Sequence, residues 1–590
     1  MLRRLFALLL ALATSALLAG CVGSGSSQTN KNPSPTITSI ALTPQNSAVT
    51  VGKTLQFSAQ ATYSDGSTKD ITSTAAWAIS DSNVGTVNAG VVTGVKIGVV
   101  SVAAGSGSVK ATTLVNVTTK AFNQGSLNGF YGFTLTAETS LARFEVGSIK
   151  ADGEGNFSGI EDVNAAAGVS KAVAVTGTYK ITADGRGTLT MNSAGQPART
   201  FHFVLSANSA SASDNNGQII QFDKAGTAAG VLLKEDPTTF KNSGLANHTY
   251  VFRLGGLDST QNPLSSVGEF SVDSSGATVS SGEQDENDNG TINSGAGSAS
   301  AQSISGSIGS IDPNSGRATL TLTVGSNTSD FAIYVVSASQ MEIVGLDAAP
   351  NLCGEAELQV SPLPSSPSAG GYTLATEIGG VRGQYWIMGQ FQAGSAGQIT
   401  GLIQHQDGGL VLNYANPGGG LSVGTNGRGL LQENTTQGAR TFTVYAVSAA
   451  RLYVLQTDDA HADSGIAELQ QPGPDGFSTG TLNNSFVLSA ADTSDGNLGI
   501  VGELVADGAG HLTGIVDVSQ PQAGNPSQLA VSTVALAASY SQPQANGQAS
   551  GAANASGAGI QNFLMYLGSS SKALLLGISP TDVNGRITVQ

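Results

Sequence analysis

A glycine-rich string returns four times along this chain of 590 residues. It reads DGEGNFSG at residues 152–159, and related strings lie at residues 273–276, 394–401 and 507–514. The corresponding glycines are separated by 121, 121 and 113 residues, and they are Gly155, Gly276, Gly397 and Gly510. A period of this length is the size of a whole domain. The string therefore predicts one kind of domain used four times.

Other landmarks follow the string in a constant order, and all of them are typical of β-structure. A second hairpin comes next, at residues 184–187, 314–317, 426–429 and 546–548. It precedes a strand of alternating character that begins at Phe201, Phe331, Phe442 and Phe563. Each unit then closes on a strand that begins at Gly230, Gly354, Gly465 or Gly585. Alternation of this kind indicates a strand with one buried face.

The spacing of these landmarks predicts about eight strands in each unit and no helix. An all-β fold follows, built from small antiparallel up-and-down barrels or, alternatively, from two-sheet sandwiches. Closure of a barrel leaves no exposed edge strand, which favours the barrel. The predicted units occupy residues 125–236, 245–359, 369–471 and 482–590.

The glycines of the repeated string have a conformational explanation. A two-residue hairpin turn needs positive φ, which glycine adopts without steric cost and which Asn or Asp tolerates. A phosphate-binding loop would need a helix directly after the glycines. Strand patterns follow them in every unit, so the string predicts a hairpin turn.

The first 20 residues carry the pattern of an export signal. Arg3 and Arg4 precede an apolar run that is too short to span a membrane as a helix. The run ends in Leu18-Ala19-Gly20-Cys21, which resembles the lipobox of bacterial lipoproteins. The resemblance implies that Cys21 is lipidated and anchors the mature chain to a membrane. The alternative is an ordinary secretory signal that is cleaved near Ala19.

The residues after Cys21 bear on where the anchored protein resides. Residues 21–35 are rich in Gly and Ser and predict a flexible tether. In lipoproteins of Gram-negative bacteria an Asp after the lipidated Cys indicates inner-membrane retention, and Val22 stands in that place. The outer membrane or the cell surface is therefore the expected location.

Residues 36–119 predict a small β-sandwich. Apolar residues alternate at Leu55, Phe57 and Ala59, and turn residues such as Asp65-Gly66 separate the strands. The opening ITSIALTP, the YSDGS string from Tyr63 and the segment GVVTG at residues 90–94 resemble the bacterial Ig-like group 2 domain. The resemblance implies a spacer or adhesion module of a cell-surface protein. Trp77 is expected in its core.

Charge and cysteine content exclude several classes of function. The chain has 25 Lys and Arg against 41 Asp and Glu, a formal net charge of −16, and no basic run after Arg4. Binding to nucleic acid needs clustered cations, so it is not expected. The two cysteines are Cys21 and Cys353, and with Cys21 assigned to the anchor they predict neither a disulfide framework nor a Cys-rich zinc site.

One concentration of oxygen donors is a candidate calcium site. Asp285, Asn287 and Asn289 alternate before Gly290, as in the first half of a calcium loop. The twelfth position is Ala296 where an EF-hand places Glu, and no flanking helix is predicted. A solvated acidic loop is the alternative. No other metal site and no other cofactor is predicted.

Few residues predict catalysis or ligand binding. The five histidines are scattered and form no metal-binding motif, and no GxSxG motif of a serine hydrolase is present. Tyr385 and Trp386 are adjacent, so on a strand they face opposite sides. One of the two is a candidate for stacking against a sugar ring, and a place inside the barrel is the alternative.

These patterns predict a lipid-anchored, non-catalytic protein of the cell envelope with a structural, adhesion or interaction role. A cell-surface protein or a glycan is the candidate partner, in addition to the membrane bound through Cys21. The alternative is a surface protein whose repeats bind glycans or small ligands. An uncharacterised secreted enzyme is the third hypothesis. Barrels filled by side chains would favour the first, and an open polar mouth would favour the second.

Overall fold

The computed structural model describes most of the chain from residue 34 to residue 589. The segments outside the description are residues 119, 138–142, 208–214, 294–300, 362, 364–367, 378–384, 408–409, 416–417, 436–437, 459–461, 492–497, 523–524, 555–560 and 579–583. The side chains of residues 207, 215, 385–386, 401–417, 435, 521, 525–527 and 589 also lie outside it. The described residues contain strands and short 3-10 turns, and no α-helix.

Ten strands form the N-terminal Ig-like sandwich. They are β1 (Ile37–Thr43), β2 (Ser47–Thr50), β3 (Thr54–Gln56), β4 (Ser58–Tyr63), β5 (Thr68–Asp70), β6 (Ala76–Ile79), β7 (Gly85–Asn88), β8 (Val91–Gly94), β9 (Gly98–Ser106) and β10 (Val109–Thr118). They pair as three sheets, in the orders β1-β4-β5, β2-β10-β9-β6 and β3-β8-β7. Trp77 packs between two apolar clusters of this sandwich, and its indole N–H donates to the carbonyl of Thr72 at 2.9 Å.

The first and fourth units are closed barrels of eight strands each. Barrel 1 consists of β11 (Asn128–Ala137), β12 (Arg143–Asp152), β13 (Asn156–Ala165), β14 (Gly168–Ile181), β15 (Arg186–Ser193), β16 (Arg199–Ala207), β17 (Asn215–Gln221) and β18 (Ala228–Lys234). Barrel 2 and barrel 3 follow in the chain. Barrel 2 consists of β19 (Thr249–Leu257), β20 (Pro263–Val272), β21 (Thr278–Asp288), β22 (Thr291–Asn293), β23 (Gln302–Ile308), β24 (Arg317–Val324), β25 (Asn327–Ser337), β26 (Gln340–Gly345) and β27 (Asn351–Leu358).

The remaining strands form barrels 3 and 4. Barrel 3 consists of β28 (Gly370–Glu377), β29 (Tyr385–Ala393), β30 (Gln398–Asp407), β31 (Leu410–Ala415), β32 (Gly418–Val423), β33 (Arg428–Thr435), β34 (Gly438–Ser448), β35 (Arg451–Gln456) and β36 (Ser464–Leu469). Barrel 4 consists of β37 (Ser485–Ala491), β38 (Gly499–Ala506), β39 (His511–Gln522), β40 (Asn525–Tyr540), β41 (Gln548–Asn554), β42 (Asn562–Ser569), β43 (Lys572–Gly577) and β44 (Asn584–Val589).

Barrels 2 and 3 close in the same way as the other two. Their sheets are completed by the pairing of β20 with β21 and of β29 with β30. The ninth strands, β22 and β31, pair only with the preceding strand and extend it as a hairpin. The prediction of an Ig-like sandwich followed by four closed barrels is therefore confirmed, and the two-sheet alternative for the repeats is wrong.

The repeated glycine string forms the hairpin turn that its residues predict. Gly155 has φ of 118° and Gly276 has φ of 73°, values that favour glycine. The Asp152 carboxylate accepts hydrogen bonds from the backbone N–H groups of residues 154, 155 and 156, at 2.7, 2.9 and 2.9 Å. This turn joins the second strand of each barrel to the third.

Each barrel encloses an apolar core of its own side chains. A large residue of the first strand anchors each interior, and these residues are Tyr131, Tyr250, Tyr372 and Phe486. All four are fully buried. The hydroxyl of Tyr250 donates to the carbonyl of Ala338 at 2.8 Å, so its polar end is satisfied.

The four barrels contact one another in a closed ring. In barrel 2, β25 and β26 pack on β11 to β13 of barrel 1, and in barrel 3, β34 and β35 pack on β19 to β21 of barrel 2. In barrel 4, β42 packs on β28 of barrel 3. In barrel 1 the strands equivalent to β25 and β26 are β16 and β17, and they pack on β37 and β38 of barrel 4. Head-to-tail contacts of one kind generate a ring when the rotation closes, and the fourth contact closes this one.

Candidate functional site

The contact between barrels 1 and 2 is built around a buried carboxylate. Asp162 of β13 is fully buried on the outside of barrel 1. It accepts two hydrogen bonds from Arg317 of barrel 2, from Nε at 2.6 Å and from Nη2 at 2.8 Å. The hydroxyl of Tyr334 donates to the same carboxylate at 2.6 Å. We call this arrangement of Asp, Arg and Tyr a clasp.

The clasp is repeated between barrels 2 and 3. Asp285 of β21 accepts hydrogen bonds from Arg428 Nε at 2.7 Å, from Arg428 Nη2 at 2.8 Å and from the Tyr445 hydroxyl at 2.7 Å. Arg and Tyr are cross-strand neighbours in both barrels, since Arg317 pairs with Tyr334 and Arg428 with Tyr445. Planar Arg–carboxylate pairs of this type are strong and directional, so each clasp fixes an orientation.

The other two contacts keep only part of this arrangement. Where barrel 4 meets barrel 1, the carboxylate and guanidinium positions are still Asp517 and Arg186, and Val204 stands in the position of the Tyr. In barrel 4, Gln548 and Tyr566 form the cross-strand pair, and Gln404 of barrel 3 occupies the register position of the Asp. In barrel 4 the acceptor position is Asp517, which pairs with Val501. Nδ1 of His202, in barrel 1, lies 3.1 Å from Asp517 Oδ2. Burial raises the pKa of Asp517, but His202 and Arg186 more than offset it, so the pKa is lowered.

Three equivalent backbone hydrogen bonds attach each barrel to the next one along the chain. The amide of Asp236 donates to the carbonyl of Val336 at 2.8 Å, and the amide of Val360 donates to Val447 at 2.8 Å. The amide of Gln471 donates to Gly568 at 2.7 Å. Because the linkers dock in the same way, each barrel is rotated similarly relative to its predecessor.

Charged side chains meet where the four barrels surround the axis of the ring. Arg253 of barrel 2 forms ion pairs with Glu355 at 3.0 Å and with Glu377 of barrel 3. Burial lowers the pKa of Arg253, but the two carboxylates raise it well above its usual value, so the guanidinium stays charged. A cavity of about 110 Å³ lies beside them and is lined by residues of all four barrels. Its size suits a few water molecules.

A second axial pair lies between barrels 2 and 3. Arg451 Nη2 donates to Glu357 Oε1 at 2.6 Å, and the Tyr453 hydroxyl donates to the same oxygen at 2.8 Å. Lys572 of barrel 4 forms an ion pair with Glu468 of barrel 3. Burial and the nearby Arg586 lower the pKa of Lys572 to about 8. The axis is thus held by paired charges from three barrels.

The end of each barrel opposite its glycine hairpin, which we call the mouth, differs between barrels. In barrel 1 the mouth is filled by Arg199, which donates to Glu145 from Nη1 at 2.6 and 2.8 Å and lies 3.5 Å from Glu161. Burial and the neighbouring Glu145 raise the pKa of Glu161 to about 7. Burial raises the pKa of Glu145, but Arg199 and Arg143 lower it below its usual value.

The mouth of barrel 2 is open. A cavity of about 580 Å³ lies there, within the range of small-molecule sites. Its floor is apolar and its rim carries amides, hydroxyls and three carboxylates. Burial raises the pKa of Glu286, and burial together with Asp258 raises the pKa of Asp288. This cavity is the larger of the two described and is the candidate ligand site.

The structure separates the residues of the calcium prediction. Asp285 and Asn287 lie on β21 and face barrel 3, where Asp285 is held in the clasp and Asn287 Nδ2 donates to the carbonyl of Gln456 at 2.8 Å. Asn289 occupies the turn before β22, with φ of 48°. Within the described part of the chain no group of three or more His, Cys, Asp or Glu is placed to hold a metal ion. Calcium binding by these residues stays a prediction, and the observed contacts of Asp285 and Asn287 join barrels 2 and 3.

The other predicted site residues are not described. Cys21 precedes residue 34, outside the description. Tyr385 and Trp386 begin β29, and their side chains also lie outside it. Among the described residues, no helix has the length and apolar character needed to cross a membrane. Sequence reasoning missed the clasp, although Arg317 and Arg428 stand at the end of the repeated second hairpin.

Comparisons with known proteins identify one module. Residues 36–117 match the model of the bacterial Ig-like domain (group 2), which confirms the predicted resemblance. The chain is also 43% identical over 84 residues to Ice-binding protein 1 of Shewanella frigidimarina (strain NCIMB 400). That match covers 14% of this chain and spans 9% of the length of the relative.

Two solved structures are distantly similar to this chain. Transferrin Binding Protein B from Haemophilus parasuis Hp5, in a mutant form, is 11% identical, with 65% of this chain and 84% of that chain covered and a TM-score of 0.15. Domains 4–9 of the surface layer protein SbsC are 12% identical, with 94% and 82% covered and a TM-score of 0.14. Neither TM-score indicates a common overall fold.

Proposed function

We propose that this chain is a lipid-anchored, non-catalytic protein of the bacterial cell envelope, whose ring of barrels is a rigid head for adhesion or another surface interaction. The Ig-like module at residues 36–117 supports a place on the cell surface, because this family is expected in spacers and adhesins. The export signal and the lipobox at Cys21 support the anchor.

The proposal of a rigid head is supported most by the charged side chains that join neighbouring barrels. Asp162, Arg317, Asp285 and Arg428 are largely buried and hold one barrel to the next. Buried pairs of this kind fix a unique geometry. The interiors of the barrels are packed with apolar side chains, which suits a scaffold whose outer shape is what a partner recognises.

The anchor is tested by replacing Cys21 with Ser. We expect the variant to move from the membrane fraction to the soluble fraction, because a Ser cannot carry the thioether-linked lipid. A conservative Ser24→Ala substitution in the predicted tether is the matched control and should leave the distribution unchanged. Unchanged sedimentation of Cys21→Ser would refute the anchor.

The role of the head is tested with the protein displayed on cells. Adhesion of these cells to other cells and to an array of glycans is compared with that of the Asp162→Asn, Asp285→Asn double variant, which loses the charge of both clasps. We expect adhesion to fall, because the relative orientation of the barrels is no longer fixed. Asp273→Asn, which removes one carboxylate from an exposed turn, is the control. Full adhesion of the clasp variant would contradict a role for the rigid ring.

A second candidate function is the binding of a small ligand by the repeats. The observation that favours it is the open cavity of about 580 Å³ at the mouth of barrel 2. It satisfies the condition of a polar mouth. Binding there is compatible with an anchored surface protein and requires no catalytic residue.

A further inference from the structure

The mouths of barrels 1 and 2 differ at three positions that the strand register makes equivalent. Glu145 pairs with Leu135 in barrel 1, as Ser266 pairs with Leu254 in barrel 2. Glu161 pairs with Gly147, as Gln284 pairs with Gly268. Arg199 pairs with Met191, as Ser329 pairs with Leu322. We call Arg199, Glu145 and Glu161 the plug of barrel 1. In barrel 2 two hydroxyls and an amide stand in place of this plug.

This replacement explains why the cavity opens in barrel 2. Arg199 bridges the mouth of barrel 1 between two carboxylates. Ser266, Gln284 and Ser329 are too short or differently shaped to cross the mouth of barrel 2, and all three line its cavity. In barrel 4 the positions of the two glutamates are Ile500 and Val516, which pack in the core.

The lining of the cavity defines the ligand that it fits. Leu254, Leu322 and Phe331 form part of an apolar floor, and Asp258, Glu286 and Asp288 bring three carboxylates to the wall and rim. No Lys or Arg is among the residues described as lining it. Carboxylates that share a partly buried site repel one another, and a cation relieves that repulsion. Anions are excluded for the same reason.

Amide and hydroxyl groups add hydrogen-bonding capacity beside the carboxylates. Asn293 Nδ2 donates to Glu286 Oε1 at 2.9 Å, and Gln284 Nε2 donates to Gln302 Oε1 at 3.3 Å. Each of these groups has further donor or acceptor capacity. The site thus offers planar polar groups of both signs around a region of negative charge.

We propose that the mouth of barrel 2 binds a small organic cation in which a protonated amine is flanked by hydroxyl or amine groups. Amino sugars and short polyamines share this chemistry. Glu286 and Asp288 bind the amine, the amides of Gln284 and Asn293 bind its polar neighbours, and the apolar floor contacts the carbon skeleton. The inference rests on the second candidate function and is independent of the membrane anchor.

The test is calorimetric titration of the full-length protein, purified in detergent, with glucosamine and with spermidine. Glucose is the matched neutral probe for glucosamine. We expect at least one amine to bind and glucose to give no measurable heat. Lack of binding by both amines would overturn the proposal. Equal affinity for glucose and glucosamine would overturn the cationic class of ligand.

Two variants locate the site. Ser266→Glu, Gln284→Glu, Ser329→Arg rebuilds the plug of barrel 1, and we expect it to abolish binding. Glu286→Gln, Asp288→Asn keeps the volume and should weaken binding by roughly ten-fold or more, since hydrogen bonds to charged groups are lost. This second variant decides the matter if the plug variant fails to fold. Asp273→Asn, at the opposite end of barrel 2, should bind as the wild type does.

Outcomes for the site are distinguishable from those for the anchor. Binding that persists in the plug variant, or an affinity that is unchanged in Glu286→Gln, Asp288→Asn, would overturn the assignment to this cavity. Release of Cys21→Ser from the membrane is measured separately and does not depend on any ligand. A failure of one proposal therefore leaves the other standing.

Discussion

Replacing Asp162 with Asn removes the charge from a clasp while keeping the size of the side chain. Asp162 is fully buried, and it accepts four hydrogen bonds: two from Arg317, one from Tyr334 and one from the amide of Ala172 at 2.9 Å. The Arg317 side chain is only 17% exposed. Breaking a buried ion pair by removing one partner costs about 3–5 kcal/mol. Because Asn keeps one acceptor, we expect a loss of about 3 kcal/mol from the contact between barrels 1 and 2.

The thiol of Cys353 offers a local measurement of that loss. Cys353 is 2% exposed and packs in the contact between barrels 1 and 2, beside Phe144, Val146 and Tyr334. A local readout is needed because a chain of five domains does not unfold in two states. In a Cys21→Ser background, the rate at which a disulfide reagent labels Cys353 follows the fraction of molecules in which this contact is open.

A loss of about 3 kcal/mol corresponds to roughly a hundred-fold faster labelling. Tyr334→Phe, which removes one hydrogen bond to a carboxylate, should cost about 2 kcal/mol and accelerate labelling by roughly thirty-fold. Asp285→Asn makes the same chemical change at the contact between barrels 2 and 3 and is the control. A change of less than about three-fold in Asp162→Asn, where a hundred-fold is expected, would refute the reasoning. So would equal acceleration by Asp285→Asn.

Two further predictions concern barrel closure and pH. Gly354→Ala should lower the free energy of unfolding by about 3 kcal/mol, because its Cβ would lie 1.9 Å from the carbonyl oxygen of Arg253. The loss is measured as a lower melting temperature by circular dichroism. Gly418→Ala, with nothing within 4 Å of its Cβ, is the control, and equal melting temperatures of the two variants would contradict the account. Burial raises the pKa of Glu433 from 4.5 to about 8. Between pH 4.5 and about 8 the folded state therefore binds one proton more than the unfolded state. The free energy of unfolding should fall as pH rises through this range, by up to about 5 kcal/mol in total. Glu433→Gln should reduce the slope of melting temperature against pH, and an unchanged slope would show that Glu433 does not titrate there.

The sequence predicted the fold class and the number of barrels because these depend on local rules. Strand alternation follows from having one buried face, and Gly155 and Gly276 are dictated by turns that need positive φ. Each of these signals depends only on residues that lie close together in the sequence. The closed barrel was favoured by the cost of exposed edges, which is also independent of distant contacts.

The ring could not be predicted in the same way, because its contacts join residues that lie far apart in the chain. Asp285 stands in an acidic run that suggests a calcium loop, and only its place on β21 shows that it faces Arg428. A signal was nevertheless present. Arg317 and Arg428 follow the second hairpin, and Tyr334 and Tyr445 interrupt the outward face of an alternating strand.

The open mouth of barrel 2 could not be predicted from the sequence for a related reason. The mouth is open because Ser266, Gln284 and Ser329 stand where barrel 1 has the larger side chains of its plug. These positions become equivalent only when the register of the strands is known. Among the hypotheses drawn from the sequence, an open polar mouth is the feature that favours ligand binding, and the mouth of barrel 2 has this feature.

The claim that the four barrels form a closed ring is tested most directly where barrel 4 meets barrel 1. A Cβ on Gly499 would lie 4.0 Å from the Cβ of Ile220, which is within the range of disulfides. In a Cys21→Ser background, the variant Ile220→Cys, Gly499→Cys should form an intramolecular disulfide, detected by mass spectrometry after digestion. Ile220→Cys with Gly325→Cys, in a turn of barrel 2 with nothing within 4 Å, should not. Absence of the first crosslink under oxidising conditions, or equal formation of both, would contradict the ring.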